Sequence, residues 1–313
     1  MSRIFEMLYR SKGEVADFVR PVVDAQTRQP PQENGGLQSR ARCAAAPAAA
    51  QPRKEVAPAP MPSLLQTRTL SLHVAARSPL LPFENGQWRP SEQYRILRTK
   101  ISHHPTQPRV IVVSSPASGD GKSVTVINTA GVLALKSEEQ VLLLDADLRK
   151  SEIHVQLGLP QSPGLTDVLT GASPLDEALV HTQEFPNLYV MTAGTRPANP
   201  VELLDSTQWR ALSARLRDMF RYVIVDSPPV GAVADYDLIQ AVCDGVILVL
   251  RPDYTNRRLC QKALEVVPKS KLLGVVLNCV PDWSPARHVG ADYYYYSGKK
   301  VYASSQEGAK GKV

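Results

Sequence analysis

Six short runs of Val, Ile and Leu recur between residues 109 and 278, and each is almost continuously apolar. Strands that are buried on both faces of a parallel sheet have this composition, whereas strands with one wet face alternate apolar and polar residues. Stretches with helical spacing separate the runs, so the sequence predicts a doubly wound α/β fold with a mostly parallel sheet flanked by helices. The predicted strands cover residues 109–114, 140–144, 187–192, 222–225, 245–250 and 272–278.

The rest of the chain differs in composition from this region. Ile4, Phe5 and Leu8 share one helical face, which indicates a helix that docks either on the protein itself or on a partner. The Pro- and Ala-rich stretch after it has little periodicity and is typical of a linker. Four segments are therefore predicted: an amphipathic helix over 1–20, a disordered Pro/Ala-rich linker over 21–90, the α/β domain over 91–285 and a flexible tyrosine-rich tail over 286–313.

The net charge and the pattern of cysteines indicate which partners and which cellular compartment to expect. The net charge of the 313 residues is +6, and the basic residues are dispersed, so we expect no nucleic-acid partner. The four cysteines form no C-x-x-C pair, which favours free thiols in a reducing compartment. No run approaches 18 apolar residues, so we expect a cytoplasmic chain that reaches a membrane only through a partner.

A glycine-rich segment carries the strongest chemical signal. Residues 114–123 read Ser-Ser-Pro-Ala-Ser-Gly-Asp-Gly-Lys-Ser, follow a predicted strand and open a helix. Such a turn points backbone N–H groups at phosphates, while Lys122 reaches the β- and γ-phosphates and Ser123 ligates Mg²⁺. Pro116 stands where the usual P-loop pattern has glycine, so this is a variant, and a plain glycine-rich turn is the alternative. The expected nucleotide-binding residues are Ser118, Gly119, Asp120, Gly121, Lys122, Ser123 and Val124.

Aspartates follow two of the predicted strands. Asp145 and Asp147 come at the end of one apolar run, and Asp226 ends another. In an extended chain, residues two apart point to the same side, so the first two carboxylates are expected together at the ligand-binding edge of the sheet. A carboxylate there can hold Mg²⁺ through water or accept a hydroxyl proton. Helix N-capping is the alternative for any one of them alone.

These motifs, in this order, resemble those of the bacterial tyrosine autokinases (BY-kinases) of capsule and exopolysaccharide synthesis, over about residues 91–296. The resemblance implies an ATP- and Mg²⁺-dependent P-loop kinase that phosphorylates the tail of a neighbouring subunit. The matching positions are Glu92, Arg95, Arg98, Lys122, Ser123, Asp145, Asp147, the segment 199–204, Asp226, the segment 274–278 and the four tyrosines 293–296.

Roles for individual residues follow from the resemblance. Lys122 would neutralise charge during transfer, and Asp145 would be the base or a metal-positioning carboxylate. The resemblance assigns catalysis to Lys122, Asp145 and Asp147, metal binding to Ser123, Asp145, Asp147 and Asp226, adenine contact to Asn278, phosphate acceptance to Tyr293, Tyr294, Tyr295 and Tyr296, and oligomerisation to Glu92, Arg95 and Arg98. It also implies a homo-oligomeric ring, a separate membrane-embedded chain-length-determinant activator that recruits the kinase to the inner face of the membrane, and a cognate tyrosine phosphatase.

Two other functions remain open from the sequence. A non-kinase P-loop ATPase of the partition or septum-placement type carries a signature lysine four residues before the final glycine of the loop, where this chain has Ala117. Such ATPases also lack a tyrosine tail. A catalytically inactive nucleotide-binding adaptor of a secretion complex is the second alternative, against which the intact Lys122 and aspartates argue.

Overall fold

The computed structural model describes residues 67–74, 78–80, 88–135 and 140–280. The predicted helix over 1–20 and the tail over 286–313 lie outside these residues. The strands are β1 (Arg68–Leu70), β2 (Val110–Ser114), β3 (Val141–Asp145), β4 (Val180–Thr182), β5 (Leu188–Met191), β6 (Tyr222–Asp226), β7 (Gly245–Leu250) and β8 (Leu272–Leu277). The helices are α1 (Trp88–Ser102), α2 (Lys122–Ala134), α3 (Ile153–Leu157), α4 (Leu165–Leu169), α5 (Leu175–Ala178), α6 (Pro200–Leu204), α7 (Thr207–Met219), α8 (Asp235–Ala241) and α9 (Arg257–Val266).

The strands form one sheet in the order β1-β4-β5-β3-β6-β2-β7-β8. Every neighbouring pair is parallel except β4 and β5. The predicted mostly parallel sheet is confirmed, and each of the six predicted strands is present with its ends shifted by no more than one residue.

Helices cover both faces of the sheet, as a doubly wound fold requires. Val110 and Val112 of β2 belong to one apolar core, and Ile111 and Val113 belong to the other, because successive side chains of a strand point to opposite faces. Helix α2 packs into the core that contains Ile111, while α7 and α9 pack into the core that contains Val110. Both faces of the sheet are therefore shielded from water, which explains the continuous apolar runs in the sequence.

The structure corrects the predicted disorder of the linker at its carboxyl end. Residues 68–70 form β1, which pairs with β4 at the edge of the sheet, and His73 donates its backbone N–H to the Leu157 carbonyl. Leu80 is also buried. The prediction of a disordered linker is wrong for these residues, because Leu70, Leu72 and Val74 alternate with polar residues, as in a strand with one buried face, and pack against the core.

Helix α1 begins earlier than the sequence suggests. The predicted α/β domain begins at residue 91, but the helix starts at Trp88 and Ser91 is a buried residue of its first turn. Pro90 is tolerated there because the first N–H groups of a helix have no partner within the helix. In the part of the chain that the structure describes, no helix has both the length and the apolar character needed to cross a membrane.

Asp244, immediately before β7, anchors the start of the central strand β2. One carboxylate oxygen accepts the backbone N–H groups of Arg109 and Val110 at 3.0 and 2.9 Å, and the other accepts Nη1 of Arg217 at 2.7 Å. Burial alone raises the pKa of Asp244, but these bonds outweigh burial and hold the pKa below its usual value. The carboxylate therefore stabilises the fold in its ionised form.

We expect Asp244→Ala to lower the free energy of unfolding by about 1–3 kcal/mol, because it leaves the N–H groups at the start of β2 without their acceptor. Chemical denaturation measures this loss. Since the folded pKa is depressed, the stabilisation is present above the unfolded value of about 3.9 and is lost as the pH falls through the folded value. The difference in free energy of unfolding between the wild type and the variant should therefore disappear at acidic pH. Asp218→Ala, on an exposed part of α7, is the control, and an equal effect of both variants would contradict the assignment.

Candidate active site

The parallel sheet brings the glycine-rich loop and the aspartates to one edge. The loop follows β2, and β2 pairs with β6, whose last residue is Asp226. Asp145 ends β3 and lies directly opposite Asp226 in the register of β3 and β6. The carboxyl ends of three adjacent strands therefore meet, which is where ligands bind in open α/β sheets.

The glycine-rich loop has the backbone of a phosphate-binding loop. Gly119 and Gly121 both have φ of +90°, a conformation that favours glycine, and α2 begins immediately afterwards at Lys122. The N-terminus of α2 therefore points at the cavity with its unpaired N–H groups and its partial positive charge. This geometry is suited to cradling the phosphates of a nucleotide.

Asp120 turns away from the cavity. Its carboxylate is fully buried, accepts the backbone N–H of Ala117 at 3.0 Å and accepts the Thr255 hydroxyl at 2.6 Å. Asn278 donates its amide N–H to the Asp120 carbonyl at 2.9 Å. The predicted ligand residues Asp120 and Asn278 thus brace the loop from behind, and neither lines the cavity.

Lys122 lies between two aspartates. Its Nζ is 3.1 Å from Asp147 Oδ2 and 3.4 Å from Asp226 Oδ1, and all three side chains are largely buried. Burial by itself lowers the pKa of Lys122, but the two carboxylates outweigh burial and raise the pKa. The ammonium group therefore stays charged at the mouth of the loop.

Asp226 also sets the direction of the Ser123 hydroxyl, which donates to Asp226 Oδ2 at 2.6 Å. Burial raises the pKa of Asp226, and Lys122 and this hydroxyl oppose the rise. Asp145 sits behind this pair, where it accepts the backbone N–H groups of Asp147 at 3.2 Å and Ile153 at 3.4 Å. Burial, and then the charges of Asp226 and Asp147, hold the pKa of Asp145 well above its usual value.

A cavity of about 570 Å³ opens over the loop. This volume lies in the range of small-molecule sites. The predicted residues that line it are Ser118, Gly119, Gly121, Lys122, Ser123, Val124 and Asp147, whereas Asp145 and Asp226 do not. The lining is completed by nine residues that were not predicted: Arg149, Lys150, Glu152, Gln156, Pro228, Pro229, Ala232, Val233 and Tyr254. Arg149 and Lys150 directly follow the acidic motif and could have been found there, but no motif marks Tyr254 or Gln156.

Arg149 ties the loop after β3 to α8. Its Nε and Nη2 donate to the two carboxylate oxygens of Asp235 at 2.8 and 2.9 Å, and Asp235 is fully buried. Such a bidentate pair fixes orientation as well as distance. The loop that carries Asp147 is therefore held in place from both sides, by Lys122 and by this pair.

The oxygen atoms around Ser123 fit a magnesium ion that arrives with phosphates. In residues 67–280 as far as they are described, no three His, Cys, Asp or Glu side chains converge to hold an ion by themselves. Mg²⁺ needs no such cage, because it usually takes one or two protein oxygens and completes its shell with water and substrate phosphates. Ser123 and the aspartates beside it supply oxygens of this kind.

The three predicted oligomerisation residues lie on α1. Glu92 and Arg95 form an exposed ion pair of 3.4 Å within the helix, and Arg98 donates to the Val132 carbonyl of α2 at 3.4 Å. None of them lines the cavity. The predicted acceptors Tyr293 to Tyr296 lie outside the described residues.

Comparison with known proteins identifies the family. Residues 108–269, more than half of the chain, match a family model described as AAA domain. The tyrosine-protein kinase YwqD of Bacillus subtilis is 39% identical over 192 residues, which are 60% of this chain and 80% of YwqD. The tyrosine-protein kinase CpsD of Streptococcus pneumoniae serotype 4 is 38% identical over 193 residues, 60% of this chain and 83% of CpsD.

The chain belongs to the bacterial tyrosine kinase family. Solved structures agree: the chimerical protein CapA2B2 matches with a TM-score of 0.62 and 31% identity over 68% of this kinase and 93% of that chain. The BceF tyrosine kinase domain matches with a TM-score of 0.56 and 32% identity over 69% of this kinase and 84% of that chain. The predicted family is confirmed, and with it a P-loop kinase fold that uses a nucleotide.

Gly121→Ala should impair nucleotide binding by the kinase, because a Cβ at this φ of +90° would lie 1.9 Å from Nδ2 of Asn278. Backbone strain of this kind costs about 1–3 kcal/mol, which corresponds to a loss of affinity of about 5- to 150-fold. Titration calorimetry with ATP measures it. Gly171→Ala is the matched control, since Gly171 has φ of +73° with open space around it. Unchanged affinity in Gly121→Ala would contradict the role of this loop.

Proposed function

We propose that this kinase is an ATP- and Mg²⁺-dependent protein-tyrosine autokinase that regulates the polymerisation and export of exopolysaccharide or capsule. The observation that carries the proposal is the charged Lys122 held between Asp147 and Asp226 on a phosphate-binding loop. It occurs in a chain whose relatives are named tyrosine-protein kinases. The acceptors are the tail tyrosines Tyr293 to Tyr296 of a neighbouring subunit.

The residues of the site are arranged for phosphoryl transfer, which depends on positioning and on charge stabilisation. Lys122 offsets the negative charge of the phosphoryl group as it moves. Asp226 aims the Ser123 hydroxyl, whose oxygen would bind Mg²⁺, and bound Mg²⁺ would supply further charge neutralisation at the phosphates. Asn278, the residue expected to contact adenine, supports the loop through the Asp120 carbonyl.

The two aspartates of the β3 motif take different roles. Asp147 lines the cavity and contacts Lys122, whereas Asp145 is buried behind it and accepts backbone N–H groups. A group that accepts the tyrosine hydroxyl proton must reach the acceptor. This supports Asp147 as the proton acceptor and Asp145 as the carboxylate that positions Asp147 and the metal.

Intact mass after incubation with Mg²⁺ and ATP tests the activity. We expect the wild type to gain mass in steps of one phosphate, and both Lys122→Met and a variant with Tyr293 to Tyr296 changed to Phe to gain none. Lys262→Met, an exposed lysine of α9, is the matched control and should behave as the wild type does. Chelation of Mg²⁺ should stop the reaction. ATP hydrolysis without any gain in mass, with or without an activator, would contradict the proposal and favour the ATPase alternative.

Mixing the two inactive variants tests transfer between subunits. Lys122→Met keeps its tail tyrosines, and the Tyr-to-Phe variant keeps its catalytic residues. If the acceptor belongs to a neighbouring subunit, the mixture should phosphorylate the Lys122→Met chain, which intact mass distinguishes from the other. A mixture that stays unphosphorylated, beside an active wild type, would indicate transfer within one chain.

We also propose that the kinase forms a homo-oligomeric ring through α1. Arg95 is exposed and its partner Glu92 belongs to the same helix, so the pair can exchange partners with a neighbouring subunit at little cost. Arg95→Glu should lower the sedimentation coefficient, because a like charge at an interface costs several kcal/mol. Lys100→Glu reverses an exposed charge on another side of α1 and is the control. Equal assembly in both variants would argue against this interface.

The remaining partners rest on the family resemblance. We propose a separate membrane-embedded chain-length-determinant protein that activates the kinase and recruits it to the inner face of the membrane. We also propose a cognate tyrosine phosphatase that removes the phosphates from the tail. The mass assay tests the activator directly when it is run with and without the cytoplasmic peptide of a candidate protein.

A further inference from the structure

Tyr254 is an exposed aromatic side chain at the cavity, and the proposed chemistry leaves it without a role. It is 57% exposed and is the one aromatic residue among those that line the cavity in the described part of the chain. It lies over the phosphate loop, because a Cβ at Gly119 would be 2.8 Å from the tyrosine hydroxyl oxygen. An exposed ring beside a phosphate site can contact the base or the sugar of a bound nucleotide.

Arg251 packs against the Tyr254 ring. The guanidinium of Arg251 lies over the Tyr254 ring at 4.5 Å from its centre, and Nη1 of Arg251 donates to the Gly119 carbonyl at 3.4 Å. Arg251 does not line the cavity, so the ring is what faces a ligand. A cation–π contact of this kind fixes the orientation of the ring without covering both of its faces.

The turn that carries Tyr254 is hydrogen-bonded to the phosphate loop. The neighbouring Thr255 is buried, accepts the backbone N–H of Arg251 at 3.0 Å and donates to the carboxylate of Asp120 at 2.6 Å. Asp253 has φ of +62°, a left-handed conformation that aspartate tolerates in turns. The turn is therefore fastened to the phosphate loop itself, and Tyr254 keeps a defined place relative to the phosphates.

We propose that Tyr254 is the platform on which the base of the bound nucleotide stacks. The inference rests on the proposed nucleotide site and deepens it. Phosphates held by residues 119–123 leave the base to lie elsewhere in the same cavity, whose other lining side chains are polar, charged or aliphatic. Base–aromatic stacking needs only a flat, exposed ring, and every base has a face to offer. Tyr254 therefore contributes affinity for the nucleoside part of the ligand and none for its phosphates.

A comparison of two ligands distinguishes base stacking by Tyr254 from structural support of the phosphate loop. Titration calorimetry in the presence of Mg²⁺ compares ATP with inorganic tripolyphosphate, which has the phosphates without the base. We expect Tyr254→Ala to weaken ATP binding by about 5- to 150-fold and to leave tripolyphosphate binding unchanged. Tyr254→Phe keeps the ring and should bind ATP as the wild type does. Leu259→Ala removes an exposed apolar side chain that does not line the cavity and is the control for folding and surface effects.

The other outcomes overturn the inference. An equal loss of ATP and tripolyphosphate in Tyr254→Ala would mean that the ring only supports the phosphate loop. Unchanged ATP binding in Tyr254→Ala would mean that the base lies elsewhere, while the nucleotide site itself would stand. A wild-type protein that binds neither ligand would overturn both the platform and the proposed nucleotide site. Because the readout is binding, the result does not depend on whether the chain phosphorylates tyrosine.

Discussion

The site depends on one lysine that lies among three buried aspartates. Asp145 and Asp226 face each other across two neighbouring strands, Asp147 follows closely, and Lys122 contacts two of the three. Burying a carboxylate is costly unless it is paired and hydrogen-bonded. Burial raises the pKa values of Asp145 and Asp226, repulsion from neighbouring carboxylates adds to the rise, and Lys122 opposes it. The cavity itself is lined by Lys122, Arg149 and Lys150 against Asp147 and Glu152, so cationic side chains face the place where the phosphates of a nucleotide would lie.

The parallel sheet is what makes this concentration of charge possible. Parallel strands all end at the same edge, and the loops that follow them start from a rigid, doubly covered framework. Much of this framework could be predicted, because a strand buried on both faces must be apolar throughout and leaves a visible run in the sequence. The strands β1 and β4 were not predicted, since each has only three residues. The alternation of Leu70, Leu72 and Val74 with polar residues is a short signal for β1, but the partner with which each of these strands pairs is set by segments far away in the chain.

The same limit applies within the site. Lys122, Ser123 and the aspartates could be predicted because their spacing is local. The inward turn of Asp120 could not, because its partner Thr255 lies 135 residues away in the chain. Arg149 likewise meets Asp235 across 86 residues. Sequence patterns indicated which residues gather at the strand ends, but the direction of each side chain is decided by long-range hydrogen bonds.

Long-range hydrogen bonds also connect the phosphate loop to the residues that follow β7 and β8. Thr255 follows β7 and Asn278 follows β8, and both bond to Asp120, one to its carboxylate and the other to its carbonyl. The phosphate loop is thus braced by the ends of two further strands. Asn278 and Thr255 contact the loop, whereas Tyr254 alone of these three lines the cavity. A loss of nucleotide affinity after a change at Asn278 would therefore not by itself place the base against Asn278, since a deformed loop would weaken binding of the phosphates as well.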